Sequence, residues 1–387
     1  MVTQRNEAGS TSNVLEQLRG NLPERRANAR TTAALLDNPS CTRRSVLDAA
    51  AVDLNKAAEL LGAPPKFGQS PFALGQGNRF ERRVKADNYA LLVEVLRRDV
   101  GYELPDKLKT FSTTTAGVAP GEAALEARVQ QTKDALARIA GGDEDAPNVI
   151  DHGVTILHVG DTKIYLEQDA LAFNFGDELQ ICEIKGFPIV DGSAEPEKVG
   201  AAARQSAVYL ASLQDTLEEL GADPALVSHD VVLICTRNYT IQPTAHKVNV
   251  TRELRGLRRQ LSRKDRVEDL LQELEADELL EELNELAEED LETRAQLLVS
   301  SLPLNFVPRC ISDCDMARVC RTEAEASGDP GRLGSEVDNL VAGLGDIRIA
   351  KDIADGADPP ENGLEVGIVL RRAKSAVEAT KNLAGAT

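Results

Sequence analysis

Across GGDEDAPN, residues 141–148, the hydrophobic period of this chain changes from that of a helix to that of a strand, and this change constrains the fold more than any other feature. Upstream, TRRSVLDAAAVDLNKAAELLG, NYALLVEVLRRDVGY and EAALEARVQQTKDALARIAGG carry apolar residues at helical spacing and close on glycines. They predict a helical N-terminal lobe over 21–148, preceded by a polar, flexible tail over 1–20. Downstream, VTILHVG, TKIYLEQDALAFNFG and ELQICEIKGF are rich in β-branched and aromatic residues. Gly-Asp turn signals at 160 and 176 separate them, which predicts an antiparallel meander. A helix from about Glu197 to Leu220 follows, with Leu210, Leu213, Leu217 and Leu220 on its core face and Gly221 as its cap, and then a strand, HDVVLICTR. The expected class is α/β, a mixed central sheet flanked by helices over 149–245.

Beyond the sheet, VTRELRGLRRQLSRKDR is basic and the next stretch acidic, so 246–300 reads as a helical arm with an abrupt reversal of charge. Residues 267–293 hold thirteen acidic side chains and no basic one. That segment accounts for most of the net charge of −19, and the remainder is nearly balanced, so the overall charge does not exclude a nucleic-acid partner. The arm is either a solvated helix or a phosphate contact joined to a partner dock. Basic clusters also lie at Arg25, Arg26 and Arg30, at Arg43 and Arg44, and at Arg79, Arg82, Arg83 and Lys85. Of these, Arg43, Arg44, Arg79 and Arg82 are the candidate DNA-phosphate contacts. Residues 326–387 predict a C-terminal extension of weak helices.

No apolar run approaches a membrane span, and MVTQRNEAGSTSN lacks the basic-then-apolar layout of a signal peptide. The protein is therefore expected in the cytoplasm, where its six cysteines stay reduced and serve as core residues or metal ligands. Cys310, Cys314 and Cys320 form C-x3-C-x5-C within a cysteine segment at 301–325, and Cys41 lies far upstream. His152, His158, His229 and His246 show no metal-ligand spacing and read as ordinary histidines.

Glu183 and Lys185 sit two residues apart at the end of an apolar strand and so project to one side. Asp169 lies fourteen residues earlier, where a turn returns the chain beside ICEIKGF. Carboxylates on neighbouring strands can share a hard cation such as magnesium or manganese. A lysine beside them can orient a water or offset developing charge, so the set suits phosphodiester hydrolysis. Exposed Glu and Lys on a strand face are the ordinary alternative. Gln205 and Tyr209 share one side of the following helix at i, i+4 spacing.

The order Asp169, Glu183-Ile-Lys185 and Gln205-x-x-x-Tyr209 resembles the PD-(D/E)XK nuclease superfamily, in particular its RecB-like branch. FGQSPFALGQGNRFERRVK resembles the helical first motif of that branch, with Glu81 at the key position. The resemblance implies a restriction-endonuclease-like core in which Asp169, Glu183 and Glu81 hold the metal, Lys185 assists the attacking water, and Gln205 and Tyr209 position the strand. One early and three late cysteines resemble the iron-sulfur staple of the CRISPR-adaptation and AddB-type nucleases. A 4Fe-4S cluster on Cys41, Cys310, Cys314 and Cys320 would tie the N-terminal lobe to the C-terminal segment, with zinc on the same ligands as the alternative. The implied function is metal-dependent cleavage of single-stranded or end-bearing DNA, in DNA processing or phage defence, with a helicase or other DNA-processing subunit as possible partner. A silent scaffold of the same fold, binding nucleic acid or a partner, is the alternative.

Overall fold

The computed structural model describes residues 4–25, 27–64, 71–105, 107–118, 121–159, 162–167, 171–175, 178–263, 267–274, 276–341 and 343–384. The chain forms two compact units. One comprises Arg26–Asp37 and Gly68–Lys264, and the other Met1–Arg25, Asn38–Phe67 and Asp265–Thr387. The architecture is mixed α/β, as the change of period predicts. Among the described residues no helix is long and apolar enough to cross a membrane.

The first unit holds every strand found among the described residues. β1 (Thr110–Ser112) and β2 (Val149–Asp151) are short, β3 (Val154–Val159) and β4 (Thr162–Glu167) form a hairpin, and β5 (Leu171–Phe175), β6 (Glu178–Ile189), β7 (Asp230–Arg237) and β8 (Pro243–Asn249) follow. Six of them make one sheet in the order β1-β2-β5-β6-β7-β8, with β1/β2 and β6/β7 parallel and the other pairs antiparallel. A parallel pair needs a crossover, and the helix Pro196–Glu219 supplies it between β6 and β7.

Both faces of β6 and β7 are covered, which is why VVLIC is apolar throughout and residues 179–183 are buried throughout, Gln180 and Glu183 included, rather than alternating. On one face Ile181, Val231, Leu233 and Cys235 pack with Leu210, Leu213 and Leu217 of the crossover helix and with Leu254 and Leu257 of the helix Thr251–Arg263. On the other, Cys182, Val232, Ile234 and Val149 pack with Phe80, Val84, Leu92 and Leu96. Full burial of each such leucine contributes about 1.5–3 kcal/mol.

The expected meander is only partly present. TKIYLEQDALAFNFG divides into β4 and β5, and β3–β4 stands as its own two-stranded sheet. The reason is packing: Leu157, Val159, Ile164 and Leu166 join the core beneath the crossover helix instead of extending the sheet edge. Three strands had no sequence signal. β1 and β2 have three residues each, and β8 is an edge strand that opens on Pro243, a residue edge strands tolerate.

The second unit is helical. Gln4–Arg19, read as a flexible tail, is a helix whose Leu18 is buried with Val46, Leu47, Leu283, Leu298 and Met316. The predicted helix over TRRSVLDAAAVDLNKAAELLG is two helices, Thr42–Ala49 and Leu54–Leu60, and Asp53 caps the second by accepting from the backbone of Asn55 and Lys56. The supposed single arm also divides. The basic helix Thr251–Arg263 belongs to the sheet unit, whereas the acidic helices Val267–Glu273 and Ala276–Asn284 belong to the helical unit, so the charge reversal coincides with the boundary between the two. Leu271, Leu279, Leu280 and Leu283 hold the acidic helices to their core. In the C-terminal extension, Ile347–Ala354 and Leu364–Ala384 pack around Val341, Leu344, Ala350 and Ile353.

Candidate active site

β6 pairs regularly with β7 through Cys182↔Val232, Glu183↔Leu233 and Ile184↔Ile234, and pairing resumes only at Pro188↔Thr236. Lys185, Gly186 and Phe187 therefore oppose Cys235 alone. Such a bulge bends the strand and re-aims the side chains it carries. Burial changes at the same place, since residues 179–183 are buried and Gly186 is exposed. The bulge is also where the helix Pro71–Val95 comes close. A Cβ at Gly186 would lie 3.4 Å from Gly77 Cα, one turn before Glu81.

The Glu183 side chain is fully inaccessible, and Lys185 Nζ lies 2.5 Å from its Oε1. A carboxylate in that setting is costly unless paired, and the bulge delivers its cation. Lys185 Nζ also donates to Gln205 Oε1 at 2.8 Å, Gln205 Nε2 donates to the Tyr209 hydroxyl at 3.2 Å, and that hydroxyl donates to the Glu167 carbonyl at 3.2 Å. Four residues singled out in the sequence, Glu183, Lys185, Gln205 and Tyr209, thus form one chain, an ion pair followed by two hydrogen bonds. Tyr209, only 2% exposed, supports Gln205 from within the core and does not face a strand directly.

Asp169 lies outside the described residues. Glu81 pairs with Lys85 at 2.8 Å, and Lys85 pairs with Asp151 at 3.0 Å. The Tyr89 hydroxyl donates to the other Asp151 oxygen at 2.7 Å. Burial alone would raise the Asp151 pKa, but the hydrogen bonds from Tyr89 and Lys85 outweigh it and hold the carboxyl below its usual range. Burial, with Asp151 beside it, pushes the Tyr89 phenol up. The helix breaks between Lys85 and Tyr89. Asp87, Asn88 and Tyr89 have φ of 51°, 52° and 64°, three consecutive left-handed residues without a glycine, a costly backbone that persists only where its surroundings fix it.

Asp151 and His152 had no sequence signal beyond a histidine dismissed as ordinary. His152 lies between the two clusters, with Nε2 at 3.7 Å from Asp151 and Nδ1 at 3.2 Å from Glu167 Oε1. Arg128 grips the same Glu167 carboxylate with two bonds and donates to the His152 carbonyl. That guanidinium, against the opposing effect of burial, holds the Glu167 pKa down.

Arg79 and Arg82 are exposed on the helix Pro71–Val95 and remain available to a phosphate. Arg43 and Arg44 are not. Arg43 is 1% exposed and donates to the Leu302 carbonyl, to Cys320 Sγ and, through two bonds of 2.8 and 3.1 Å, to Glu323. Arg44 is buried against Asp48 and the Asp313 carbonyl. Their expected role as DNA contacts is replaced by a structural one, because their donors are taken up inside the helical unit.

Cys41, Cys310, Cys314 and Cys320 all lie in that unit as free thiols. Cys310 Sγ accepts from Asn38 and from the Val307 amide, each at 3.5 Å. Burial pushes the Cys314 thiol up to about 12 and Cys320 up to about 11, with Arg44 and Arg43 respectively opposing the rise. Asn38 and Arg43, on either side of Cys41, hydrogen-bond Cys310 Sγ and Cys320 Sγ. Among the described residues no three His, Cys, Asp or Glu side chains converge closely enough to hold a metal ion. The donor type suits a thiolate-bound centre, while the spacing here does not close a ligand set. Comparison with protein-family models, with curated proteins and with solved structures gives no match.

Proposed function

We infer that the sheet unit is a metal-dependent deoxyribonuclease of the RecB-like PD-(D/E)XK kind, hydrolysing phosphodiester bonds in DNA. The observation that carries this reading is the chain Glu183, Lys185, Gln205, Tyr209: a buried carboxylate meets a lysine on a strand bulge, and the following helix orients that lysine. A structural ion pair needs no bulge that leaves its lysine partly exposed.

Glu183 offers the oxygen donors that magnesium or manganese takes, with Glu81 and Asp169 as the other proposed carboxylates. Such an ion, when bound, supplies Lewis acidity towards a phosphate oxygen. Lys185, held by Gln205, places its ammonium where charge develops on the phosphate or keeps the attacking water in line. Tyr209 keeps Gln205 from rotating away. Exposed Arg79 and Arg82, together with Arg252 and Arg255 on the outer face of the helix Thr251–Arg263, provide cations for the backbone of the strand. In the helical unit, Cys41, Cys310, Cys314 and Cys320 are the proposed ligands of a 4Fe-4S cluster, with zinc as the competitor. A helicase or similar subunit would deliver DNA to so acidic a chain.

The test is incubation of end-labelled single-stranded and duplex DNA with protein purified without oxygen, in manganese or magnesium and in a chelator. The reading predicts products that need the metal and vanish with Glu183→Gln, made by a brown protein if the centre is iron-sulfur and by a colourless one if it is zinc. No product with either metal contradicts the nuclease and favours a binding scaffold.

A further inference from the structure

The parallel register of β6 and β7 sets Ile189 beside Arg237, so the β7–β8 turn lies at the end of β6 that carries the bulge. Four residues of strand separate Ile189 from Lys185, roughly 13 Å. At that turn Asn238 and Tyr239 have φ of 47° and 62°. Two successive left-handed residues are what a tight hairpin turn requires, and glycine meets that requirement at the second position without strain. Here the second position holds tyrosine.

This turn is firmly held. Asn238 N donates to the Ile189 carbonyl, Asn238 Oδ1 accepts from the Asp191 amide, and Thr240 N donates to the Arg237 carbonyl. Arg237 N donates to Gln242 O, and Thr240 Oγ1 accepts from the Gln242 amide. Yet its side chains face water: Tyr239 is 80% and Ile241 61% exposed. The other four tyrosines are partly or fully buried. A rigid turn that strains its backbone to present an aromatic ring is built for contact rather than for folding.

We propose that Tyr239, with Ile241 beside it, is a base-stacking platform for single-stranded DNA entering the Lys185 site. The choice of ligand rests on the nuclease reading. Stacking suits an acidic protein, because it adds affinity without adding charge, and only unpaired bases offer their faces to it.

Because the chain has no tryptophan, Tyr239→Trp places a single indole at the tip. With divalent metal withheld, so that nothing is cut, its emission is quenched by oligodeoxythymidylate and not by blunt duplex. Tyr239→Gly removes the ring and relieves the left-handed strain, so it folds at least as well. It binds the same oligonucleotide roughly tenfold more weakly by anisotropy. Unquenched indole together with unchanged affinity of Tyr239→Gly overturns the platform, whatever the protein cleaves. Quenching and weakened binding uphold it even if the metal-dependent assay finds no cleavage, in which case only the nuclease reading falls.

Discussion

Lys185 and Arg43 are both cations set against a carboxylate inside their own unit, and they are arranged in opposite senses. In the Arg43–Glu323 pair the cation is buried and the carboxylate reaches solvent, with side-chain exposures of 2% and 37%. In the Lys185–Glu183 pair the carboxylate is sealed and the cation reaches solvent, with exposures of 0% and 24%. Arg43 is further fixed by a backbone carbonyl and a sulfur, so it ties chain segments together and has nothing to offer a ligand. Lys185 has a bulge under it, a glutamine steering it and water on one side. The difference teaches that saturation, more than burial, separates a structural cation from one available to chemistry.

The largest expected effect on stability comes from the saturated pair. Arg43→Met leaves the buried Leu302 carbonyl without its donor and the part-exposed Glu323 without its cation, and a buried acceptor left unpaired costs about 1–3 kcal/mol. The expected result is early melting of the helical unit, seen as loss of helical circular dichroism on heating. A variant as stable as the wild type breaks the comparison, since Arg43 would then be no more committed than Lys185.

A smaller effect is expected from acid. The Asp151 pKa is depressed in the folded state, so its stabilising contribution is fully present above the unfolded carboxylate pKa near 4 and is lost as pH falls below that value. Urea midpoints measured downwards from about pH 5 should fall more steeply for the wild type than for Asp151→Asn. Parallel curves would mean that Lys85 and Tyr89 do not hold that carboxylate, and that the second cluster is looser than the Glu183 site.

What was legible in the sequence follows the range of the interactions involved. The crossover helix Pro196–Glu219 and the strand Asp230–Arg237 match their expected limits within a residue or two, because leucine spacing and a β-branched run are local signals. Glu183, Lys185, Gln205 and Tyr209 were legible for the same reason, since strand alternation and i, i+4 spacing bring them together once the helix lies on the sheet. Arg43 was misread because its acceptors are remote, and Arg44 because its Asp313 carbonyl partner is, although its pair with Asp48 is an ordinary i, i+4 contact. The partners of Arg43 lie 259 and 280 residues along the chain, and no local pattern announces them. Asp151 and His152 were missed because β2 is only three residues long, the partners of Asp151 flank a helix break that periodicity reads as continuous helix, and His152 meets Glu167 from another strand.

The central claim is that the solvent-facing lysine is the one that does chemistry, and cleavage by Lys185→Ala beside the wild type tests it most directly. With matched folded protein and manganese, the account predicts that the variant still binds DNA but cleaves it at least about a hundredfold more slowly. Equal rates and identical products from the two proteins would contradict it, and would leave Lys185 as no more than the counter-ion of Glu183.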